Sequence, residues 1–239
     1  MKQRIHRFPI LASTNSLALE WIRAGTVGAG DVLVTAEQTA GRGRPGRTWH
    51  SPRGALLCTL VLPFYPERAG WTALAAGVAA AQAARDLGAT AGVKWPNDVV
   101  VERRKLAGIL VETPGPALTA VGIGMNVSNP VPLDLPGGRE AVALAEFAPD
   151  ATPEQALEAL LARIDEAWAL LAAPDLKPLR TAWAGLDTTS GRRVRRLTAG
   201  PADPDEEGVA LGVADDGALQ IRLDSGRLLA AHAGEIELI

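Results

Sequence analysis

Five short apolar runs constrain this 239-residue chain more than anything else in it: DVLVTA (31–36), ALLCTLVL (55–62), VKWPNDVVV (93–101), LAGILVE (106–112) and LTAVGIGMNV (118–127). Each is hydrophobic enough to lie centrally in a sheet covered on both faces, so the first half of the chain must assemble a sheet and supply helices to cover it. The helices are legible too. STNSLALEWIRAG opens on a Ser-Thr-Asn cluster suited to capping, carries Leu17, Leu19, Trp21 and Ile22, and closes at Gly25. Residues 67–87 form an alanine-rich stretch ended by Gly88, and its small side chains suit close packing on a sheet. Thr152 to Gln155 fits a capping box with Pro153 at the first helical position. Leu157, Leu160, Leu161, Ile164, Trp168 and Leu171 then recur at helical spacing.

From about residue 190 the pattern changes to short alternating strands, with turn signals at Asp215–Gly217 and Asp224–Gly226, which suits a small barrel. The boundary is expected near Leu186 to Ser190, dividing the chain into residues 1–187 and 188–239. With 47% hydrophobic residues the chain can bury a sizeable core. Its net charge of −3 means that the surface as a whole is not built to attract polyanions, so any anion must be met locally. Cys58, the single cysteine, reads as a buried small hydrophobe, and it excludes a disulfide within the chain. No secretory signal and no apolar run of the ~20 residues a membrane crossing needs is present, so a cytoplasmic location is expected. His6, His50 and His232 lack metal-ligand spacing.

Against that background GRGRPGR (41–47), strung between the first two core strands, asks for an explanation. Arg42-Gly43-Arg44-Pro45 matches the core of a minor-groove DNA hook, but it is single, lies between core strands and belongs to an acidic chain. The glycines do not open a helix, which removes the dinucleotide fingerprint, and no loop ends in Gly-Lys-Ser/Thr. A solvated connection would leave three arginines repelling one another. The remaining reading is a lid for a small anion. Lys94-Trp95-Pro96-Asn97-Asp98 supports it, since Pro96 forbids a regular central ladder and the resulting bend can aim Lys94 at a ligand. Gly108 in the neighbouring run, with Gly122 and Gly124, leaves room for close approach. Arg192, Arg193, Arg195 and Arg196 read as a solvated strand face, offset by the acidic PADPDEEG segment.

Taken together, Ser13-Thr14-Asn15, GRGRPGRTWHSP, KWPNDVVV, RKLAGILVE and VGIGMNVSNP occur in the order and approximate spacing of biotin protein ligases, and the chain resembles that family over nearly its whole length. The resemblance implies an α+β fold: a mixed β-sheet with helices akin to the class II aminoacyl-tRNA synthetases, plus a C-terminal SH3-like barrel. It implies a two-step reaction in which biotin and MgATP yield biotinyl-5′-AMP and pyrophosphate, after which the acyl group passes to one lysine of a biotin carboxyl carrier domain. Neither nucleic acid nor membrane enters as a partner, and a homodimer is compatible with it. Relatives that double as repressors carry a helix-turn-helix domain ahead of the ligase; about twelve residues precede Ser13 here, so no repressor role is expected. A lipoate or octanoate ligase shares the fold and is the nearest rival, the GRGRxGR and KWPND pair favouring biotin.

By the same resemblance Ser13, Thr14, Asn15 and Gln38 line the vitamin pocket, where hydroxyl and amide groups match the ureido ring. Gly41, Arg42, Gly43 and Arg44 form the lid, Arg42 and Arg44 binding phosphate by paired hydrogen bonds. Lys94 supplies the fixed charge at the carboxyl and α-phosphate oxygens. Trp49 covers adenine or shapes the lid, Lys105 assists at the phosphates, Gly108 and Gly124 admit the bicyclic ring, and Asn126 bears on metal or phosphate. Magnesium comes bound to ATP, since no acidic cage is evident.

Overall fold

The computed structural model describes residues 2–44, 47–50, 52–131, 140–197 and 206–239. The apolar runs become β2 (Asp31–Thr35), β3 (Leu56–Pro63), β4 (Gly92–Lys94), β5 (Asp98–Val101), β6 (Arg104–Glu112) and β7 (Leu118–Met125), joined by an N-terminal edge strand β1 (Arg4–Phe8). These seven strands form one sheet in the order β1-β2-β3-β7-β6-β5-β4. The sheet is mixed: β1 runs parallel to β2 and the other neighbours are antiparallel.

Period-two alternation then sorts the side chains onto two faces. On one face Cys58, Leu60 and Leu62 of β3 and Val121, Ile123 and Met125 of β7 pack under α2 (Ala69–Asp86) and α3 (Pro153–Ala172). Alanine dominates α2, which lets its backbone lie close to the strands. The periodic residues of α3 are all buried, and its N-terminus carries the full capping box between Thr152 and Gln155. On the other face Val61 and Ala120 meet Ala18 and Leu19 of α1 (Thr14–Arg23). Ser13 caps α1 by accepting from the Ser16 N–H at 3.4 Å, and Gly25 at φ +69° ends it in the left-handed region that favours glycine.

The run VKWPNDVVV is two strands instead of the single one its apolarity suggests. Pro96, with no N–H to give a ladder, stands in the turn between β4 and β5 behind a cis Trp95–Pro96 bond, and β5 alone pairs with β6, placing Asp98 opposite Gly108. A short helix α4 (Lys177–Ala184) leads to β8 (Arg193–Leu197), β9 (Glu206–Val213), β10 (Leu219–Leu223), β11 (Leu228–Ala231) and β12 (Glu235–Leu238), an antiparallel SH3-like sheet in the order β11-β10-β9-β8-β12. The apolar core runs without a break from α2 and the large sheet to Leu219, Ile221 and Ile236. Two buried indoles clamp the junction: Trp71 Nε1 donates to the Asp215 carbonyl at 2.9 Å and Trp95 Nε1 to that of Gly217 at 3.1 Å. The arginine-rich β8 is indeed a charge-paired strand face, Arg193 meeting Asp224, Arg195 meeting Glu207 and Arg196 meeting Glu206. The PADPD portion of its expected counter-charge lies outside the described residues.

Candidate active site

The face of the sheet that carries α1 also carries a cavity of about 540 Å³, and its floor follows from the alternation just described. Gly122 and Gly124 point from β7 and Gly108 from β6, leaving a strip without side chains. At Gly122 a Cβ would lie 2.2 Å from Asn15 Oδ1, and at Gly124 one would lie 2.4 Å from the Trp49 indole. Asn15 fills the space over Gly122, and Trp49 covers Gly124 and Gly108. Cys58 of β3 turns its side chain to the α2 and α3 face of the sheet, and burial pushes its thiol up to about 12, so it offers the cavity no nucleophile.

One end is a network of uncharged polar groups at the start of α1. The Gln38 side-chain oxygen accepts from the Thr14 N–H at 2.8 Å and from its hydroxyl at 3.2 Å. Thr59, buried on β3, stands 2.8 Å from Thr14 Oγ1 and 2.6 Å from Asn15 Oδ1. Asn15 Nδ2 donates to Glu112 Oε2 at 2.9 Å and to the Leu110 carbonyl at 3.2 Å. Ser13, Thr14, Asn15 and Gln38 all line the cavity. Fixed hydroxyl and amide groups of this kind recognise a neutral ring bearing both donors and acceptors.

The described residues of the arginine segment close the opposite side. Gly43 N–H donates to the Arg47 carbonyl at 2.9 Å and Trp49 N–H to that of Gly41 at 3.0 Å, so residues 41–43 pair antiparallel with 47–49; Pro45 and Gly46 lie outside the described residues. The segment's guanidinium groups are not left to repel one another. Arg42 pairs with Glu112, Arg47 pairs with Glu235 of β12, and Arg44 Nη1 donates to the Gly234 carbonyl at 2.5 Å. Burial lowers the Arg44 pKa from its usual value, with Asp98 opposing that and Arg47 adding to it. Three cations are thus held over the cavity by contacts that an arriving polyanion can replace.

Lys105 stands between the two ends. Its Nζ lies 2.6 Å from Asp98 Oδ1 and 5.6 Å from the centroid of the Trp49 ring, a cation over an aromatic face. Asn126 lines the cavity, but its amide is spent on the chain: Nδ2 lies 3.4 Å from the Lys105 carbonyl and 3.2 Å from that of Val142, and Oδ1 accepts from Asn129 at 3.1 Å. It secures the strand bearing Lys105 and presents no acidic ligand to a metal. Lys94 sits one strand further out, half-buried at the end of β4 opposite Asp98, and does not line the cavity. Sequence reasoning passed over Thr59, Glu112 and Glu235. Thr59 is the one polar break in ALLCTLVL and Glu112 closes RKLAGILVE, so both carried a signal; Glu235 carried none.

A glycine-floored cavity with a neutral polar end and a cationic end, on a mixed sheet whose apolar core runs on into a small barrel, is the frame of an acyl-activating protein ligase. Residues 8–128 match the biotin/lipoate A/B protein ligase family and residues 189–239 match the biotin protein ligase C terminal domain; the chain belongs to that family. It is 35% identical to the biotin--[acetyl-CoA-carboxylase] ligase of Paracoccus denitrificans, over 90% of this chain and 92% of the relative. It is 32% identical to the bifunctional ligase/repressor BirA of Escherichia coli, over 96% of this chain and 72% of the relative. Among solved structures, the biotin protein ligase from Aquifex aeolicus in complex with biotin and ATP superposes with a TM-score of 0.83 at 27% identity, covering 100% of this chain and 99% of that one. The ligase from Leishmania major in complex with biotinyl-5-AMP gives 0.70 at 28% identity, over 98% of this chain and 100% of that one. Among the described residues no helix is long and apolar enough to cross a membrane.

Proposed function

We infer that this protein is an ATP-dependent ligase that activates biotin as biotinyl-5′-AMP and passes the biotinyl group to one lysine of a biotin carboxyl carrier domain in the cytoplasm. The observation that carries this reading is that one cavity joins a neutral hydroxyl and amide pocket to a cluster of cations. Relatives named as biotin--[acetyl-CoA-carboxylase] ligases support the choice of acid over a lipoyl group.

In the first step a biotin carboxylate oxygen forms a bond to the α-phosphorus while the bond from that phosphorus to the β-phosphate bridging oxygen breaks, releasing pyrophosphate. Two anions must approach, and negative charge gathers on the phosphoryl oxygens, so cations fixed beforehand lower the barrier. Lys105 is the group we assign to that position, in place of Lys94, because it lines the cavity on a strand hydrogen-bonded along both edges. Thr14, Asn15 and Gln38 hold the ureido ring, with Ser13 capping the helix that presents Thr14 and Asn15. Arg42, Arg44 and Arg47 exchange their protein partners for phosphate oxygens and cover the anhydride against water. The Trp49 ring offers adenine a stacking face. In the second step the carrier lysine amine attacks the acyl carbon and AMP departs with the electron pair of the broken C–O bond. Among the described residues Asp98 is the one carboxylate lining the cavity and is paired with Lys105, so we assign magnesium to the nucleotide. Pyrophosphate release on mixing the protein with MgATP tests the reading: biotin should trigger it and lipoate should not.

A further inference from the structure

The carboxylate of Glu112 bonds to both ends of the cavity at once, and nothing in the reaction itself explains why it should be there. It sits at the end of β6, outside the lining, with its side chain 26% exposed. One oxygen, Oε2, takes both Asn15 Nδ2 and the Arg42 guanidinium. Because a carboxylate and the Leu110 carbonyl are both pure acceptors, Asn15 has to turn its NH2 toward them; its Oδ1 is then obliged to face Thr59 at 2.6 Å. The amide can no longer flip. Its oxygen, with a lone pair beyond the one Thr59 uses, is presented as an acceptor beside the Thr14 and Gln38 cluster, which is the polarity a ureido N–H requires.

We propose that Glu112 is a positioning residue that sets the hydrogen-bonding polarity of the vitamin pocket through Asn15 and holds Arg42 with the same oxygen. The proposal rests on the biotin ligase reading and specifies how its pocket is set. Glu112→Gln removes both constraints at once: the new amide can donate or accept, so Asn15 becomes free to flip, and Arg42 loses its counter-charge. A hydrogen bond to a charged group lost from a fixed pocket corresponds to about a tenfold weaker association.

The test is biotin binding by calorimetry without nucleotide, alongside initial rates of pyrophosphate release, on the full chain. Glu112→Gln should bind biotin about tenfold more weakly and raise the KM for biotin by a similar factor, with the KM for ATP within about twofold of wild type. Asn15→Asp should lose binding outright because it sets two carboxylates 2.9 Å apart. Asn15→Asp combined with Glu112→Gln should recover at least tenfold of that loss, because the substituted amide can donate where the native carboxylate could only accept. A purely structural role would not produce that reciprocal rescue. If Glu112→Gln binds biotin as wild type does, or if the double substitution is no better than Asn15→Asp, the proposal is overturned while the ligase reading stands. If wild type itself fails to bind biotin, the ligase reading falls.

Discussion

Replacing Lys105 by Met keeps the length of the side chain and deletes its charge, and two separate losses follow. A unit cation about 4 Å from the charge developing on the α-phosphoryl group is worth roughly 4 kcal/mol at the effective dielectric of a partly solvated site, or about a thousandfold in rate. The second loss falls on stability. Asp98, whose side chain is only 10% exposed, is left without the ammonium 2.6 Å away. We expect that to cost about 2 kcal/mol, less than a fully buried pair because both groups retain some water, and to lower Tm by roughly 4–8 °C. Single-turnover formation of biotinyl-5′-AMP, followed beside a melting curve, separates the two. Lys105→Met should slow adenylate formation about a thousandfold while biotin still binds. Adding Asp98→Asn should return most of the lost Tm and none of the rate. A Lys105→Met enzyme within tenfold of wild type, or a double substitution that recovers activity together with stability, would refute the assignment of the cation. Lys94→Met, by contrast, removes a group outside the cavity and should cost less than tenfold in the same assay.

Gly122→Ala would drive a methyl group into Asn15 Oδ1, so biotin affinity should fall at least tenfold, with Tm lowered by roughly 4–8 °C for the ~2 kcal/mol that overpacking costs; unchanged affinity would mean that Asn15 does not shape the pocket. Arg44→Gly removes the tie between the arginine segment and the Gly234 carbonyl and one of the cations above the anhydride, and the activated intermediate should then escape and label lysines of bystander proteins. Bystanders that stay unlabelled would show that the segment does not retain it. Asp31 joins β2 to β1 through Arg4 at 2.6 and 2.8 Å; this hydrogen bonding, opposed by burial and aided by the Gly28 N–H and His6, holds its carboxyl well below the usual carboxylate range. A depressed folded pKa stabilises above the pKa of the unfolded chain and is lost as pH falls. Asp31→Asn should therefore be less stable by about 2 kcal/mol at neutral pH, with the gap closing below about pH 4 in urea titrations; a gap independent of pH would contradict the ion pair's role.

Much of the architecture was readable because local signals and burial agreed. The capping box at Thr152, the left-handed Gly25 and the apolar strand runs each point to the element that forms. The choice between Lys94 and Lys105 was not readable, and register explains why. Strict alternation along β6 would put Lys105 on the face opposite Gly108. An irregularity where Val99 pairs with Ala107 but Val100 pairs with Lys105 inserts Leu106 as an extra residue and flips everything before it. Lys105 thereby joins Gly108 on the cavity face, near enough that a Cβ on Gly108 would lie 3.2 Å from its Nζ. No pattern in RKLAGILVE announces that slip. The counter-charges of the arginine segment were hidden for a different reason. Glu235 is 188 residues from Arg47 in the chain, and only the docking of the barrel through Trp71 and Trp95 brings it there. The bonds of Asn126 to the Lys105 and Val142 carbonyls, which tie the strand to the following segment, were equally unreadable, because its residue type suggests only a ligand.

The most direct test of the account is the intact mass of a biotin carboxyl carrier domain after incubation with this protein, biotin and MgATP. The account predicts that the carrier gains the mass of one biotinyl group on a single lysine, only when ATP is present, and that lipoate cannot substitute. A carrier of unchanged mass, or one that takes up lipoyl in preference to biotinyl, would contradict it.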